Sequence, residues 1–478
     1  MQAGQFFFAA LNAPAHRVAA SAAHSGVWGL AIAVLLLTPG RMMATQDSQM
    51  LPESKPALAS PVFSPLPGTF SGPVTVAITD PSKVSAVYYT TDGKPPSTAS
   101  KRYASPIDVT STETIRATAL SGADSSMVAS ATYTIDDGVT APAVITATPA
   151  RNGAALVRLR SNTQDATIYY TTDGSAPSRS SIPYLAPFLV DRKMTVKAIA
   201  ISSSDSNSPV TEHSFDKEIP AGALVWSDEF PNATGENAEP DPHIWTYDTG
   251  TDCCGNNEWE DYCAWDSSVA PCAPAHPNAY VGTDGDLHIL ARDPVAGAPK
   301  QGNYTSARLK TQGLFSFQYG RFEVRAKIPE GQGLWPAIWL LGNNIATVNW
   351  PACGELDVME HIDGGDPQNE GFDWVQGSIH GTNLNNGIQY HPAGFSAADW
   401  HIYGMIWTKG KIEYYVDSPA NVYATFTPST QGGSWPFDSG PEFVILNLAV
   451  GGDWPGQPDA ATPFPSQFLV DFVRVYSN

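Results

Sequence analysis

Between Cys353 and Glu360 the chain reads Cys-Gly-Glu-Leu-Asp-Val-Met-Glu, so three carboxyls, Glu355, Asp357 and Glu360, fall within one short run. Read as a β-strand, the run points Glu355 and Asp357 to one face and Leu356 and Val358 to the other. Strict alternation would turn Glu360 away from its partners. One extra residue at Met359, taken up as a β-bulge, returns it to their side. A lone Glu-x-Asp on a strand would read as a solvated face. Three neighbouring acids repel one another where Thr or Val would serve a strand better, so chemistry explains them better than stability does. Two carboxyls about 5 to 5.5 Å apart are what double displacement at an anomeric carbon requires. On this reading Glu355 is the ionised nucleophile and Glu360 the protonated acid/base. Asp357, lying between them, keeps their proton affinities apart.

Upstream, Trp335-Pro-Ala-Ile-Trp339 sends Trp335, Ala337 and Trp339 to one face and Ile338 to the other. The two indoles are therefore candidate platforms for stacking sugar rings, with core packing the alternative for any Trp. Trp454, in a Gly-Gly-Asp-Trp-Pro-Gly loop, is a third. The elements that must position these groups are β-strands. Charged residues make up only 15 % of the 478 residues, and Gly and Pro number 40 each, the profile of turn-rich all-β structure. Aromatic-rich strand patterns recur from Leu224 onward, over 321–328, 337–341, 402–407, 412–416, 443–450 and 468–476. A net charge of −21 disfavours nucleic acid, anionic membranes and acidic polysaccharides as partners, and raises no objection to a neutral polymer.

The amino-terminal half is organised differently. His16 and Arg17 precede an apolar run from Val27 to Leu37, then Pro39, Gly40 and the small Ala44, the form of a secretory signal peptide over 1–43. The run is shorter than the 18 to 20 or so apolar residues that span a bilayer. A Pro/Ser/Ala linker over 44–60 follows, and the expected location is secreted, cell-surface or periplasmic. Tyr88-Tyr-Thr-Thr-Asp-Gly93 then recurs as Tyr169-Tyr-Thr-Thr-Asp-Gly174, with Pro96 and Pro177, and Tyr103 and Tyr184, in register. Two β-sandwich repeats are expected, over 61–136 and 137–219, each with an Asp-Gly hairpin turn. They contain no Trp, so they read as spacers rather than sugar-binding modules. Of the five cysteines, Cys253, Cys254, Cys263 and Cys272 crowd one loop, where an exported protein would form disulfides in any of three pairings, and Cys353 is left over.

The repeats resemble the immunoglobulin-like modules similar to chitobiase C-terminal domains. Residues 220–478 resemble glycoside hydrolase family 16. The resemblance rests on the Glu355–Glu360 run, Tyr304-Thr-Ser-Ala-Arg308, Gly320-Arg-Phe-Glu-Val-Arg325, Gly333-Leu-Trp-Pro-Ala-Ile-Trp339, Trp350-Pro-Ala-Cys-Gly-Glu355, Leu448-Ala-Val-Gly-Gly452 and Asp471-Phe-Val-Arg-Val-Tyr476. It implies a concave-faced β-jelly-roll sandwich with a cleft across the concave sheet, and a retaining endo-glycosidase. The Met-containing motif and its Trp-Pro-Ala-Cys lead-in look like laminarinases, which implies β-1,3-glucan as substrate. The alternatives are a mixed-linkage β-1,3-1,4-glucanase and a non-catalytic β-glucan-binding protein on the same fold. The resemblance also implies cleft positions for Arg308, Asn257, Glu258 and His380, the last near the acid/base. It implies a structural calcium at Glu229, Gly285 and Asp471. No cofactor is needed for the chemistry, and a monomer is expected.

Overall fold

The computed structural model describes residues 58–478 apart from 71, 84–85, 123, 137, 252–254, 294–302 and 365–370. The expected signal peptide, most of the linker, and Cys253 and Cys254 lie outside the described residues. No helix among the described residues is long and apolar enough to cross a membrane.

Residues up to Val139 form one unit and residues from Thr140 onward another. In the first, alternation along Val74–Thr79, Glu113–Ser121 and Ala129–Ile135 sends Val76, Ile115, Ala117 and Tyr133 into a small core between two sheets. The second unit begins with the same sandwich, whose core gathers Val157, Tyr170, Phe188 and Val196. In both copies the Asp-Gly pair opens a loop and does not close a hairpin. Ala86–Thr90 pairs next with Lys101–Arg102, because Pro95 and Pro96 have no amide hydrogen to continue a ladder. Asp92 Oδ1 accepts the Lys94 amide, and Asp173 Oδ1 accepts the Ser175 amide.

From Leu224 the chain builds two antiparallel sheets packed face to face. Among the described residues the concave sheet runs in the order Thr246–Asp248, Arg308–Lys310, Glu442–Val450, Leu334–Gly342, Glu355–Glu360, Val375–Gly381, Leu384–Tyr390. The opposing sheet is centred on Gly320–Lys327, His401–Thr408 and Ser466–Tyr476. Strand alternation fills the space between them. Ile338 and Leu340 meet Val444, Leu446 and Leu448 from one side, and Phe322, Val324, Val473 and Val475 from the other. At roughly 25 cal/mol per Å² of apolar surface, a core of this size dominates the stability of the unit.

The second repeat is not a free spacer. Its strand Phe188–Val190 points Phe188 and Val190 into its own core, while Leu189, with Ala154, belongs to the large core of the jelly roll. The Leu189 amide donates to the Ser316 carbonyl at 2.9 Å, and the Ser316 hydroxyl donates to the Pro187 carbonyl at 2.8 Å. Cys263 and Cys272 form a disulfide, and Cys353 is a buried free thiol.

Candidate active site

Glu355–Glu360 lies between Leu334–Gly342 and Val375–Gly381, and its register breaks where the sequence places a bulge. Asp357 pairs with Trp339 and Glu360 with Ala337, leaving one residue more on the acidic strand than on its partner. The surplus falls at Val358 and Met359, both buried in the core. Both stand opposite the stretch of Val375–Gly381 between Gln376 and Ser378. Gly377 occupies that stretch, and any Cβ there would meet Tyr414 Cδ2 at 2.5 Å. Glu355, Asp357 and Glu360 consequently face one cleft of about 290 Å³.

Each glutamate is held by an indole. Trp350 Nε1 donates to Glu355 Oε2 at 2.9 Å, and Trp335 Nε1 donates to Glu360 Oε1 at 3.1 Å. The Ser378 hydroxyl reaches Glu360 Oε2 at 3.4 Å. His380 sits across the ladder from Glu355, with Nε2 2.9 Å from Asp357 Oδ2 and 3.8 Å from Glu355 Oε1. It therefore adjoins Glu355 and not Glu360, because the strand register sets Gln376 opposite Glu360.

Burial first, and Asp357 second, push the Glu355 carboxyl up to about 8, against the pull of His380, the Trp350 hydrogen bond and Arg308. The Glu355 side chain keeps 15 % of its surface open to the cleft, and water there works against that rise. Burial and Asp357 also raise Glu360, well above the carboxylate range, and Glu355 adds to the effect where His380 and the Trp335 hydrogen bond oppose it. Their mutual repulsion disfavours ionising both, and Arg308, which acts on Glu355, favours its carboxylate over that of Glu360. A single proton shared between them rests on Glu360. Burial opposes the His380 cation, yet Asp357, Glu355 and Glu360 together lift it to about 10, so it is an imidazolium at neutral pH.

The cleft walls include Glu258, Arg308, Trp335, Trp339 and Trp454, all expected there. The Trp339 indole donates to Asn447 Oδ1 at 2.7 Å, and the Arg308 guanidinium, ion-paired to Asp248, lies 4.5 Å from its ring centre. Trp335 meets Trp454 edge to face at 5.3 Å. Asn257 is a correction. It donates to Asp453 at 2.9 and 3.0 Å, and Asn256 lines the cleft instead, since both residues adopt positive φ and turn the backbone between them. Residues missed in the sequence include Trp350, Gln376, Ser378, Asn385 and Asn447. Alternation carried past His380 finds Ser378 and Gln376, because Val375 and Ile379 take the core face. Nothing local marks Asn447, which lies in an otherwise apolar strand.

Among the described residues one group has metal-ligand geometry: Glu355, Asp357 and His380, whose ligand atoms lie within 4.8 Å of one another. Its imidazole is already paired with the two acids, Nε2 lying 2.9 Å from Asp357 and 3.8 Å from Glu355. The expected calcium set does not fit its carboxylates. Glu229 accepts two hydrogen bonds from Arg474, at 3.0 and 2.7 Å, and Asp471 is paired with Arg325 at 2.5 Å. An arginine against each acid already neutralises the charge that a cation would need.

Three family patterns match the chain: "Glycosyl hydrolases family 16" over residues 279–473, "Fn3 associated" over 157–215, and "Chitobiase/beta-hexosaminidase C-terminal domain" over 65–135. A beta-glucanase from Rhodothermus marinus is 39 % identical over 280 residues, which are 54 % of this chain and 86 % of that protein. Glucan endo-1,3-beta-glucosidase A1 from Niallia circulans is 34 % identical over 55 % of this chain, and the match spans 39 % of that longer protein. Among solved structures, the laminarinase catalytic domain from Thermotoga maritima is 37 % identical, with TM-score 0.46 over 54 % of this chain and 99 % of that one.

Proposed function

The chain belongs to glycoside hydrolase family 16, and from that premise we propose that it is an exported endo-glycosidase that cuts β-1,3-glucan with retention at the anomeric carbon. One observation carries the reading: Glu355 and Glu360 share one cleft face of a bulged strand, and their environments order their proton affinities. Glu355, held by Trp350 and favoured by His380 and Arg308, attacks the anomeric carbon as the carboxylate. Glu360 protonates the departing glycosidic oxygen, and the same group, now a carboxylate, draws a proton from the water that releases the glycosyl-enzyme. The His380–Asp357 pair lies beside Glu355 and keeps the surrounding charge balanced as the proton moves. Cleft, indoles and amide side chains suit a neutral polysaccharide, and the names of the relatives from Rhodothermus marinus and Niallia circulans support a β-glucan. Calcium plays no part in these steps.

Glu355→Gln is expected to lower reducing-sugar release from laminarin by about 10⁴-fold or more while the polymer still binds. The first-formed anomer, read by NMR with the unaltered protein, is expected to keep the β configuration. Hydrolysis that survives in Glu355→Gln, or an inverted product, refutes the mechanism. Faster turnover of lichenan than of laminarin would place the specificity in the mixed-linkage class instead.

A further inference from the structure

The two repeats differ at one pair of positions whose chemistry tells their roles apart. In the first, Thr75 and Asp108 face each other across adjacent strands, both exposed, with the Thr75 hydroxyl donating to Asp108 Oδ1 at 2.7 Å. At the matching register in the second, Leu156 faces Leu189. Leu189 is 8 % exposed, and both side chains pack against the jelly-roll core. A polar pair has given way to an apolar one on the face that docks.

The docked face leads toward the acids. Ser316, whose hydroxyl donates to the Pro187 carbonyl, also accepts a hydrogen bond from Asn343 Nδ2 at 2.9 Å. Asn343 follows directly on the strand Leu334–Gly342 and opens the segment that returns to Glu355. Within that segment the Asn349 amide bonds the Ile345 carbonyl, the Cys353 amide bonds the Asn349 carbonyl, and the Gly354 amide bonds the Pro351 carbonyl. These bonds tie the segment into one small hydrogen-bonded unit, which carries Trp350. Ile182, Leu185 and Ala186 of the repeat share a narrow seam with Asn343 and Cys353 from the other side.

We propose that the second repeat is a positioning element of the active site: docked through Leu156 and Leu189, it fixes Asn343 and the 343–354 segment, and so holds the Trp350 indole on Glu355. This rests on Glu355 being the nucleophile. The repeat touches no substrate, and Ser316, Asn343 and Leu189 are positioning residues. The first repeat, with Thr75 and Asp108 on the corresponding face, has no such surface.

The Trp350 N–H favours the carboxylate form of Glu355, so loosening it raises the pH at which Glu355 takes up a proton. That change belongs to the acidic limb of the kcat/KM profile, which a merely structural contact would leave in place. Two variants of the full chain are compared with the unaltered protein on laminarin. Leu156→Thr with Leu189→Asp restores the polar pair of the first repeat and undocks the second. Ser316→Ala removes the hydroxyl that links Pro187 to Asn343 and leaves the Leu189 amide bond and the apolar docking in place. Both are expected to move the acidic limb upward, the double variant by about one pH unit and Ser316→Ala by about half of that, with the basic limb unmoved. An acidic limb that stays put in both overturns the proposal. Should the double variant fail to fold, Ser316→Ala decides alone, and an unmoved limb there is equally fatal. Hydrolysis surviving in Glu355→Gln would instead sink the assignment of the nucleophile, a separate failure read from a separate protein.

Discussion

Asp357 accepts no leaving group and attacks nothing, yet the charge of every catalytic group in the cleft depends on it. It is the second influence, after burial, that raises both Glu355 and Glu360, and the leading attraction that holds His380 as a cation. Asp357→Asn removes that anion without changing the shape of the side chain. His380 then loses most of its reason to stay protonated, which by itself would push Glu360 upward again. Asp357 ranks above His380 among the influences on Glu360, so the net effect is a lower proton affinity. On the proposed mechanism Glu360 must be protonated to release the leaving oxygen, so activity would end at the pH where it loses its proton. The basic limb of kcat/KM is expected to move to lower pH by about one unit, and kcat at neutral pH to fall by roughly 10- to 100-fold. A basic limb that rises or stays in place in a pH series on laminarin contradicts this ordering.

At the scale of the element, the bulge turns a counting rule into a test. The acidic strand carries one residue more than its partner, and this surplus keeps Glu360 on the cleft face. Deleting Met359 leaves Glu-Leu-Asp-Val-Glu, in which plain alternation returns the last Glu to the same face. Inserting one Ala after Met359 makes the spacing even as well, but sets that Glu one residue pair, about 7 Å, further along the cleft face. The deletion is therefore expected to keep turnover within about 100-fold, whereas the insertion drops to the level of Glu360→Gln, near 10⁴-fold down or lower. Kinetics on laminarin, with melting curves to confirm folding, decide it; equal losses in both would show that the spacing of the two glutamates along the cleft face is not what matters. This part of the site was legible because period-two alternation is a local property of the chain. It gave the cleft face of Trp335, Ala337 and Trp339 and the need for a bulge. It could not give the partner across the ladder. Where His380 lands depends on the register between Glu355–Glu360 and Val375–Gly381, which no short stretch of sequence encodes. Asn257 failed for a related reason: two consecutive left-handed residues break the alternation on which any facing argument relies.

The whole molecule adds what neither scale contains. The repeat was plain in the sequence, and so was the change of character at Leu224, but the docking of the second repeat rests on a pair, Leu156 and Leu189, distant in sequence and meaningful only beside Thr75 and Asp108. Burial on this scale also sets how stability responds to pH. Glu442, at the seam between repeat and jelly roll, is 2 % exposed and leaves Oε2 without a hydrogen-bond partner. Burial, then Glu355 and Asp357, raise its carboxyl well above the usual range. A carboxyl whose affinity for the proton is raised in the folded state favours folding fully only below its unfolded value, near 4.3, and loses that contribution as the pH climbs toward the folded value. Glu442 therefore weighs against the fold at neutral and alkaline pH, since the protein must either keep a proton there or bury a charge. Glu442→Gln supplies a neutral group of the same shape at every pH. It is expected to raise the melting temperature by a few degrees at pH 8, about 1 to 2 kcal/mol for a unit of this size, and by much less at pH 5, where the carboxyl of the unaltered protein already carries its proton. Calorimetry at the two pH values separates this from a general packing effect, which would shift both melts alike.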